Sequence, residues 1–207
     1  MNVHPYHKIQ SIYKRDPKTH RFLDGVFSMP EFCYLAGNRW EWTEKVDGTN
    51  IRVMWDGQEV KFGGKSDNAQ IHAGLYEALK HQFPVDMFET TFDGPACLYG
   101  EGYGAKIQKG GGNYKPDGQD FVLFDVKIGS WWLQRYDIED IGRRLDCRVV
   151  PIMGHGSLYE AVDWARSGIQ STWGSFYAEG LVLKPTIQLL TRDGKRIITK
   201  VKTKDFA

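Results

Sequence analysis

Cysteine is scarce in this 207-residue chain. Cys33, Cys97 and Cys147 are odd in number and widely spaced, which excludes a disulfide framework and a zinc cluster and leaves reduced thiols. Long apolar runs are missing as well: none approaches the about 20 residues that a membrane-spanning helix needs. Met1-Asn2-Val3-His4-Pro5 has no basic segment followed by an apolar one, so the expectation is a soluble, unexported, cytoplasmic protein with no membrane partner. Charge of one sign is nearly balanced out, with a net value of +1, so total charge gives no sign of a polyanionic partner and only local clustering can. There is no internal repeat, no low-complexity tract and no shift of composition that would mark a linker. The phosphate-binding fingerprint Gly-x-x-x-x-Gly-Lys-Ser/Thr is absent. What the chain does have is 41% hydrophobic and 14% aromatic residues, ample for a packed core.

Strand-like alternation dominates residues 40 to 63, where Trp40, Trp42, Val46, Ile51, Val53, Trp55 and Val60 recur around turns at Asp47-Gly48 and Asp56-Gly57. The pattern predicts a meander. A helix is expected from Asn68 to Gln82, with Ile71, Leu75, Ala78 and Leu79 on one face and Pro84 marking its end. Strands follow at Ala96–Gly100 and Phe121–Lys127, separated by a glycine-rich segment. Helices are expected at Ile138–Leu145 and Leu158–Arg166, the latter entered through Ser157 with Glu160 at capping-box spacing. Gly180–Lys184 and Arg196–Lys202 close the chain as strands. One α+β domain on antiparallel strands is the simplest organisation.

Within this frame Lys45-Val46-Asp47-Gly48-Thr49-Asn50 places a lysine two residues before Asp-Gly at a strand end. A lysine there can attack the α-phosphate of a nucleotide if cations or desolvation strip its proton, with Gly48 leaving room for the nucleotide. A solvated lysine before an ordinary Asp-Gly turn is the competing reading. Four further segments follow: Tyr99-Gly100-Glu101-Gly102, Phe121-Val122-Leu123-Phe124-Asp125, Glu179-Gly180-Leu181-Val182-Leu183-Lys184 and Thr199-Lys200-Val201-Lys202. In this order and at these separations they resemble the covalent nucleotidyltransferase superfamily of ATP-dependent ligases and capping enzymes, over nearly the whole chain from Glu44 to Phe206. Asn50, where DNA ligases and capping enzymes usually carry arginine, is similar to the nick-sealing RNA ligase 2 branch. So are Glu44 before the lysine, Gly100-Glu101-Gly102-Tyr103-Gly104, and Ile107-Gln108-Lys109-Gly110.

The resemblance implies an antiparallel-sheet nucleotidyltransferase (adenylation) domain of the ATP-grasp-like ligase type, and an ATP-dependent RNA ligase. Lys45 would be the nucleophile that takes AMP from ATP. Lys200 and Lys202, two apart in a strand and so on one face, would meet the triphosphate and help depress the pKa of Lys45. Glu101 would accept from the ribose hydroxyls and Phe124 would stack on adenine, although Phe121-Val122-Leu123-Phe124 also reads as a plain buried strand. Asn50 would bond phosphate or a terminal nucleotide, Glu44 would fix the adenine edge, and Lys65, where these ligases usually carry arginine, would contact phosphate without arginine's planar fork. Lys184 belongs with the nucleotide-binding residues. Glu179 would orient a hydrated Mg²⁺ or Mn²⁺.

The glycine series Gly100, Gly102, Gly104, Gly110, Gly111 and Gly112, with Lys106 and Lys109, can be a mobile loop closing over phosphate or equally a flexible surface loop. The last sixteen residues collect Arg192, Lys195, Arg196, Lys200, Lys202 and Lys204, a patch able to hold a nucleic-acid backbone, whereas Lys14, Arg15, Lys18 and Arg21 read as a solvated face. The expected partners are RNA ends, a nicked duplex or an RNA/DNA hybrid, in the cytoplasm or in a host's if the gene is a phage's. Residues 1–207 are expected to form one nucleotidyltransferase domain without the C-terminal oligonucleotide-binding or helical domain of the family. A partner protein supplying that domain's role stays open. The alternatives are an ATP-dependent DNA ligase, a guanylyltransferase making RNA caps, and, in another class, a non-catalytic nucleic-acid end-binding module.

Overall fold

The computed structural model describes residues 5–206; Met1 to His4, where a leader would begin, lie outside the described residues. Secondary structure is mixed, with two five-stranded sheets. The chain groups into two compact units. One holds residues up to His7 with Val46–Val150, the other Lys8–Lys45 with the residues from Pro151 on.

In the first unit the strands run in the order Val60–Gly63, Thr49–Trp55, Ala96–Gly104, Gln119–Ile128, Trp131–Trp132, every pair antiparallel. Period-two alternation sends Ile51, Val53, Trp55, Leu98, Phe121, Leu123 and Val126 to one face. There they bury against Leu75 and Leu79 of the helix Ala73–Gln82, Phe88 of the helix Val85–Thr91, and Ile138 and Ile141 of the helix Arg135–Arg144. The opposite face carries Asn50, Arg52, Tyr99, Glu101 and Asp125, set side by side by the pairings Asn50–Glu101, Arg52–Tyr99 and Tyr99–Asp125. A sheet face this polar beside a fully apolar one marks the side that meets something other than core.

The second unit builds its sheet in the order Gln10–Ser11, Thr199–Lys202, Gly180–Pro185, Trp40–Lys45, Ile152–Gly156. All pairs are antiparallel except Gln10–Ser11 with Thr199–Lys200. Trp40, Trp42, Leu181, Leu183 and Val201 face Leu158, Ala161, Val162 and Ala165 of the helix Leu158–Ser167. That helix opens with the expected capping box: Ser157 accepts from Glu160 N, and the Glu160 carboxylate accepts from Ser157 N. A hairpin of Tyr13–Arg15 and Phe22–Phe27, a short helix Pro30–Tyr34 and a 3-10 turn Thr203–Phe206 complete the unit.

The strands themselves were largely legible, but the meander over 40–63 is corrected. Trp40–Lys45 does not pair with Thr49–Trp55; Lys45 lies opposite Gly180, and Thr49 opposite Gly102. The chain therefore passes from one unit to the other at Lys45–Val46, just before Asp47-Gly48, while Asp56-Gly57 is a true hairpin connection. The expected helix from Asn68 starts later, at Ala73, because the His72 side chain accepts from Gly74 N at 3.2 Å and caps it there. The strand from Ala96 continues to Gly104, so half of the glycine series is sheet.

Candidate active site

Lys45 is the last residue of Trp40–Lys45, an inner strand of the second unit's sheet, and its place there decides its neighbours. Pairing sets Lys45 opposite Gly180 and Gly180 opposite Lys202, so the two lysines flank one glycine in a single row. The next rows bring Thr43, Val182 and Lys200 together, and then Glu41 with Lys184. Four lysines, Lys45, Lys184, Lys200 and Lys202, therefore share the face opposite the core. Gly180 must be glycine: a Cβ there would lie 2.1 Å from the carbonyl oxygen of Val201 and 2.7 Å from Lys202 Cα.

Glu179 stands just before this row and bridges its two ends. Lys45 Nζ is 2.5 Å from Glu179 Oε2, and Lys202 Nζ makes an ion pair with Oε1. All three side chains are at most about a fifth exposed. Burial by itself would raise the Glu179 carboxyl, but the attraction and hydrogen bonds of Lys45 and Lys202 together outweigh it and hold the group below its ordinary value. The structure thus brings Lys45 together with Glu179, 134 residues further along the sequence, and with Lys202 beyond it.

Glu44 meets a different geometry from the one expected. One residue before Lys45, it alternates onto the core face beside Leu181, where it is almost fully buried. Its Oε1 accepts from Ser171 Oγ at 2.6 Å, and Oε2 accepts from both Thr172 N and Thr172 Oγ1 at 3.0 Å. Both oxygens are engaged in holding the Ser171-Thr172 segment, a partner that no local sequence pattern announces.

In the first unit Asn50 and Glu101 lie directly opposite each other on the polar face. The Asn50 side-chain oxygen is buried without a hydrogen-bond partner, an acceptor of the kind a bound ligand satisfies. Phe124 is the extra residue of a β-bulge: Tyr99 pairs with Asp125 while Gly100 pairs with Leu123. The bulge takes Phe124 out of the alternation that buries Phe121 and Leu123, leaves it half-buried and re-aims its ring. Sequence reasoning missed Tyr6, which meets that ring edge-on at 5.0 Å and donates its hydroxyl proton to the buried Asp125. It also missed Arg52, buried, whose Nε donates to Gly64 O at 2.9 Å and whose Nη2 pairs with Asp67 at 2.8 Å, shaping the turn that presents the exposed Lys65.

Gly48 was expected to leave room for a nucleotide, but a Cβ there would strike the carbonyl oxygen of Gly102 at 2.2 Å, so it is the close approach of two chain segments that requires glycine. The neighbouring Asp47 accepts from Gly110 N at 2.9 Å, which ties the glycine-rich segment down. Lys106 and Gln108 carry φ of 67° and 53° on either side of the buried Ile107, so this segment is an anchored loop with left-handed non-glycine positions.

Among the described residues no group of three or more His, Cys, Asp or Glu side chains is placed to hold a metal ion, and no helix is long and apolar enough to cross a membrane. A lone carboxylate between two lysines fits a Mg²⁺ or Mn²⁺ that arrives hydrated on a triphosphate, because Mg²⁺ keeps several waters and takes one or two carboxylates plus substrate phosphates.

A family model described as RNA ligase matches residues 38–202. No curated protein matches the chain. Several solved structures do. A variant of Naegleria gruberi RNA ligase with ATP and Mn is 20% identical over 98% of this chain and 58% of its own, with a TM-score of 0.69. Another variant with ATP and Mn shares 22% identity over 86% of this chain and 52% of its own, TM-score 0.68. A variant with AMP and Mn gives 22%, 86%, 53% and 0.68 for the same measures. At this identity the likeness is one of fold, and this chain spans between half and three-fifths of their length.

Proposed function

We propose that this chain, which belongs to the RNA ligase family, uses ATP to join a 3′-hydroxyl to a 5′-phosphate in RNA through a lysyl-AMP on Lys45. The observation that carries this reading is the row Lys45, Gly180, Lys202 with Glu179 bridging both ammonium groups. A nucleophilic amine and a cluster of cations on one sheet face are what phosphoryl chemistry needs, because the protein's work there is positioning and charge stabilisation.

In the first step Lys45 Nζ attacks the α-phosphorus of ATP. A nitrogen–phosphorus bond forms, the bond to the β-phosphate oxygen breaks, pyrophosphate leaves and the amine gives up a proton. Lys200, Lys202 and Lys184 face the triphosphate and stabilise the charge that moves onto the leaving group. Next, a 5′-phosphate oxygen displaces Lys45 from the AMP phosphorus. In the last step the 3′-hydroxyl attacks that 5′-phosphate and AMP departs. Glu179 would hold the water shell of a divalent cation, which supplies charge neutralisation to the phosphate oxygens. Within the first unit, Phe124 offers its ring to adenine, Glu101 accepts from ribose hydroxyls, and Asn50 and Lys65 serve phosphate or a terminal nucleotide. Discrimination of RNA from DNA would come from 2′-hydroxyl contacts and A-form geometry near the break. The reduced thiols suit a cytoplasmic setting.

The test starts from protein stripped of nucleotide with pyrophosphate, incubated with Mg²⁺ and each nucleoside triphosphate in turn, and read by intact mass. One AMP added from ATP and absent in Lys45→Ala is the expected result, followed by sealing of a nicked or splinted RNA. A GMP adduct would point to cap synthesis, sealing confined to DNA to a DNA ligase, and an adduct on Lys45→Ala protein would refute the reading.

A further inference from the structure

Past Lys202 the chain turns at once into the Thr203–Phe206 3-10 helix, and this turn holds Lys202 and the neighbouring Glu179 by their main chain. Asp205 Oδ2 accepts from Lys202 N at 3.1 Å. Thr203 N donates to Glu179 O at 3.1 Å. Its hydroxyl reaches Ala178 O at 3.4 Å. The remaining Asp205 oxygen accepts from Arg15 Nη2 at 2.6 Å, with the aspartate side chain only 3% exposed. Arg15 is in turn fixed by donating to His20 O at 2.9 Å and by lying over the Phe22 ring at 4.4 Å. Phe206 closes the arrangement, edge-on to Phe22 at 5.6 Å with the Arg166 guanidinium 4.7 Å from its centroid.

A carboxylate so enclosed costs desolvation, and an apolar side chain of similar size would close the turn more cheaply. What an apolar group cannot do is accept from two donors that come from opposite ends of the chain. Arg15, part of a basic run that reads from sequence as a solvated face, is thereby a structural cation. We infer that Asp205, clamped by Arg15, is a positioning residue that fixes the main chain at Lys202 so that its Nζ stays on Glu179 beside Lys45. The inference rests on the proposed use of Lys202 at the phosphates.

Single-turnover adenylylation of Lys45 separates positioning from folding, since the final amount of lysyl-AMP counts correctly folded protein and the rate reads geometry. Asp205→Ala should slow the rate roughly 10- to 100-fold, the range that small misplacements of catalytic groups produce, with the amplitude kept. Asp205→Asn, which keeps an acceptor for Lys202 N but loses the pairing with Arg15, should fall between it and the wild type. In a Lys202→Met background Asp205→Ala should slow the remaining reaction less than about twofold, because coupled sites are not additive. A fall in amplitude at unchanged rate, or an equal slowing in both backgrounds, overturns the inference. If the wild type forms no adduct, the reaction proposed above fails on its own account. The positioning is then read by NMR of ¹³C-dimethylated lysines: the Lys202 signal must move in Asp205→Ala while that of Lys184 stays, and an unmoved Lys202 signal refutes it.

Discussion

Gly180→Ala tests the lysine row at its centre. The new methyl carbon would sit 2.1 Å from Val201 O and 2.7 Å from Lys202 Cα, whereas an unstrained carbon contact needs about 3.5 Å or more. Both obstacles are main chain, so no rotamer change relieves the clash; the Gly180–Pro185 and Thr199–Lys202 strands must part by about 1 Å or more at that point. Overpacking of this kind costs about 1–3 kcal/mol, and weakening a ladder hydrogen bond between the strands adds about 0.5–1.5 kcal/mol. For a chain of this size 1 kcal/mol corresponds to about 2–4 °C, so a thermal midpoint lower by roughly 5–15 °C is expected. Because the parting displaces Lys202 from Glu179, lysyl-AMP formation at a temperature where the variant is folded should fall at least about tenfold. Circular-dichroism melting and the mass-shift assay read the two effects. A variant that melts within a degree of wild type and adenylylates at full rate would mean the strands yield without cost, and would refute the argument that backbone proximity dictates glycine here.

Three further outcomes follow from the same geometry. Glu44→Ala should lose about 2–3 kcal/mol in urea unfolding, since it strands the buried Ser171 hydroxyl and the Thr172 N–H, while Glu44→Gln, able to satisfy one of them, should lose about half as much. The folded Glu179 carboxyl lies below its ordinary value of 4.5, so its contribution is full above that value and is lost as pH falls through the lower folded value. The stability gap between wild type and Glu179→Gln should therefore narrow from pH 7 toward pH 3, and a gap that widens on acidification would contradict the pairing. Burial pushes the Cys97 and Cys147 thiols up to about 12 while Cys33 is exposed, so iodoacetamide at pH 8 should add one label to native protein and three after unfolding, counted by mass.

The strand Trp40–Lys45 shows both the reach and the limit of the sequence. Its alternation announces a strand with the tryptophans inward, and that is observed. Alternation says nothing about the partner strand, however, and the true partners begin at Ile152 and Gly180, more than a hundred residues on. The helix Val85–Thr91 was hidden because Pro84 was read only as a terminator, although proline also opens helices. Phe22–Phe27 was hidden by its mostly exposed side chains and an internal Asp-Gly. In the site, the Lys200–Lys202 spacing was enough to put both lysines on one face. Phe124 could not be separated from a core phenylalanine because a β-bulge leaves no mark in composition. For Glu44 the adenine-edge role came from the family resemblance alone, and a strand's period of two sends it to the face opposite Lys45.

The passages at Lys45–Val46 and Val150–Pro151 have a consequence for the order in which the molecule is made. Apart from the few residues before Lys8, the first unit is one continuous stretch, so its sheet and helices can close as soon as Val150 has left the ribosome. The second unit cannot. Its inner strand Trp40–Lys45 is made early in synthesis, yet finds its two neighbours only when Ile152–Gly156 and Gly180–Pro185 emerge, and Thr199–Lys202 joins Gly180–Pro185 last. Lys45 thus waits through most of translation as an unpaired strand end. A transcript cut shortly before Thr199 would yield a sound first unit joined to an unfinished sheet, holding Lys45 and Glu179 but not Lys202.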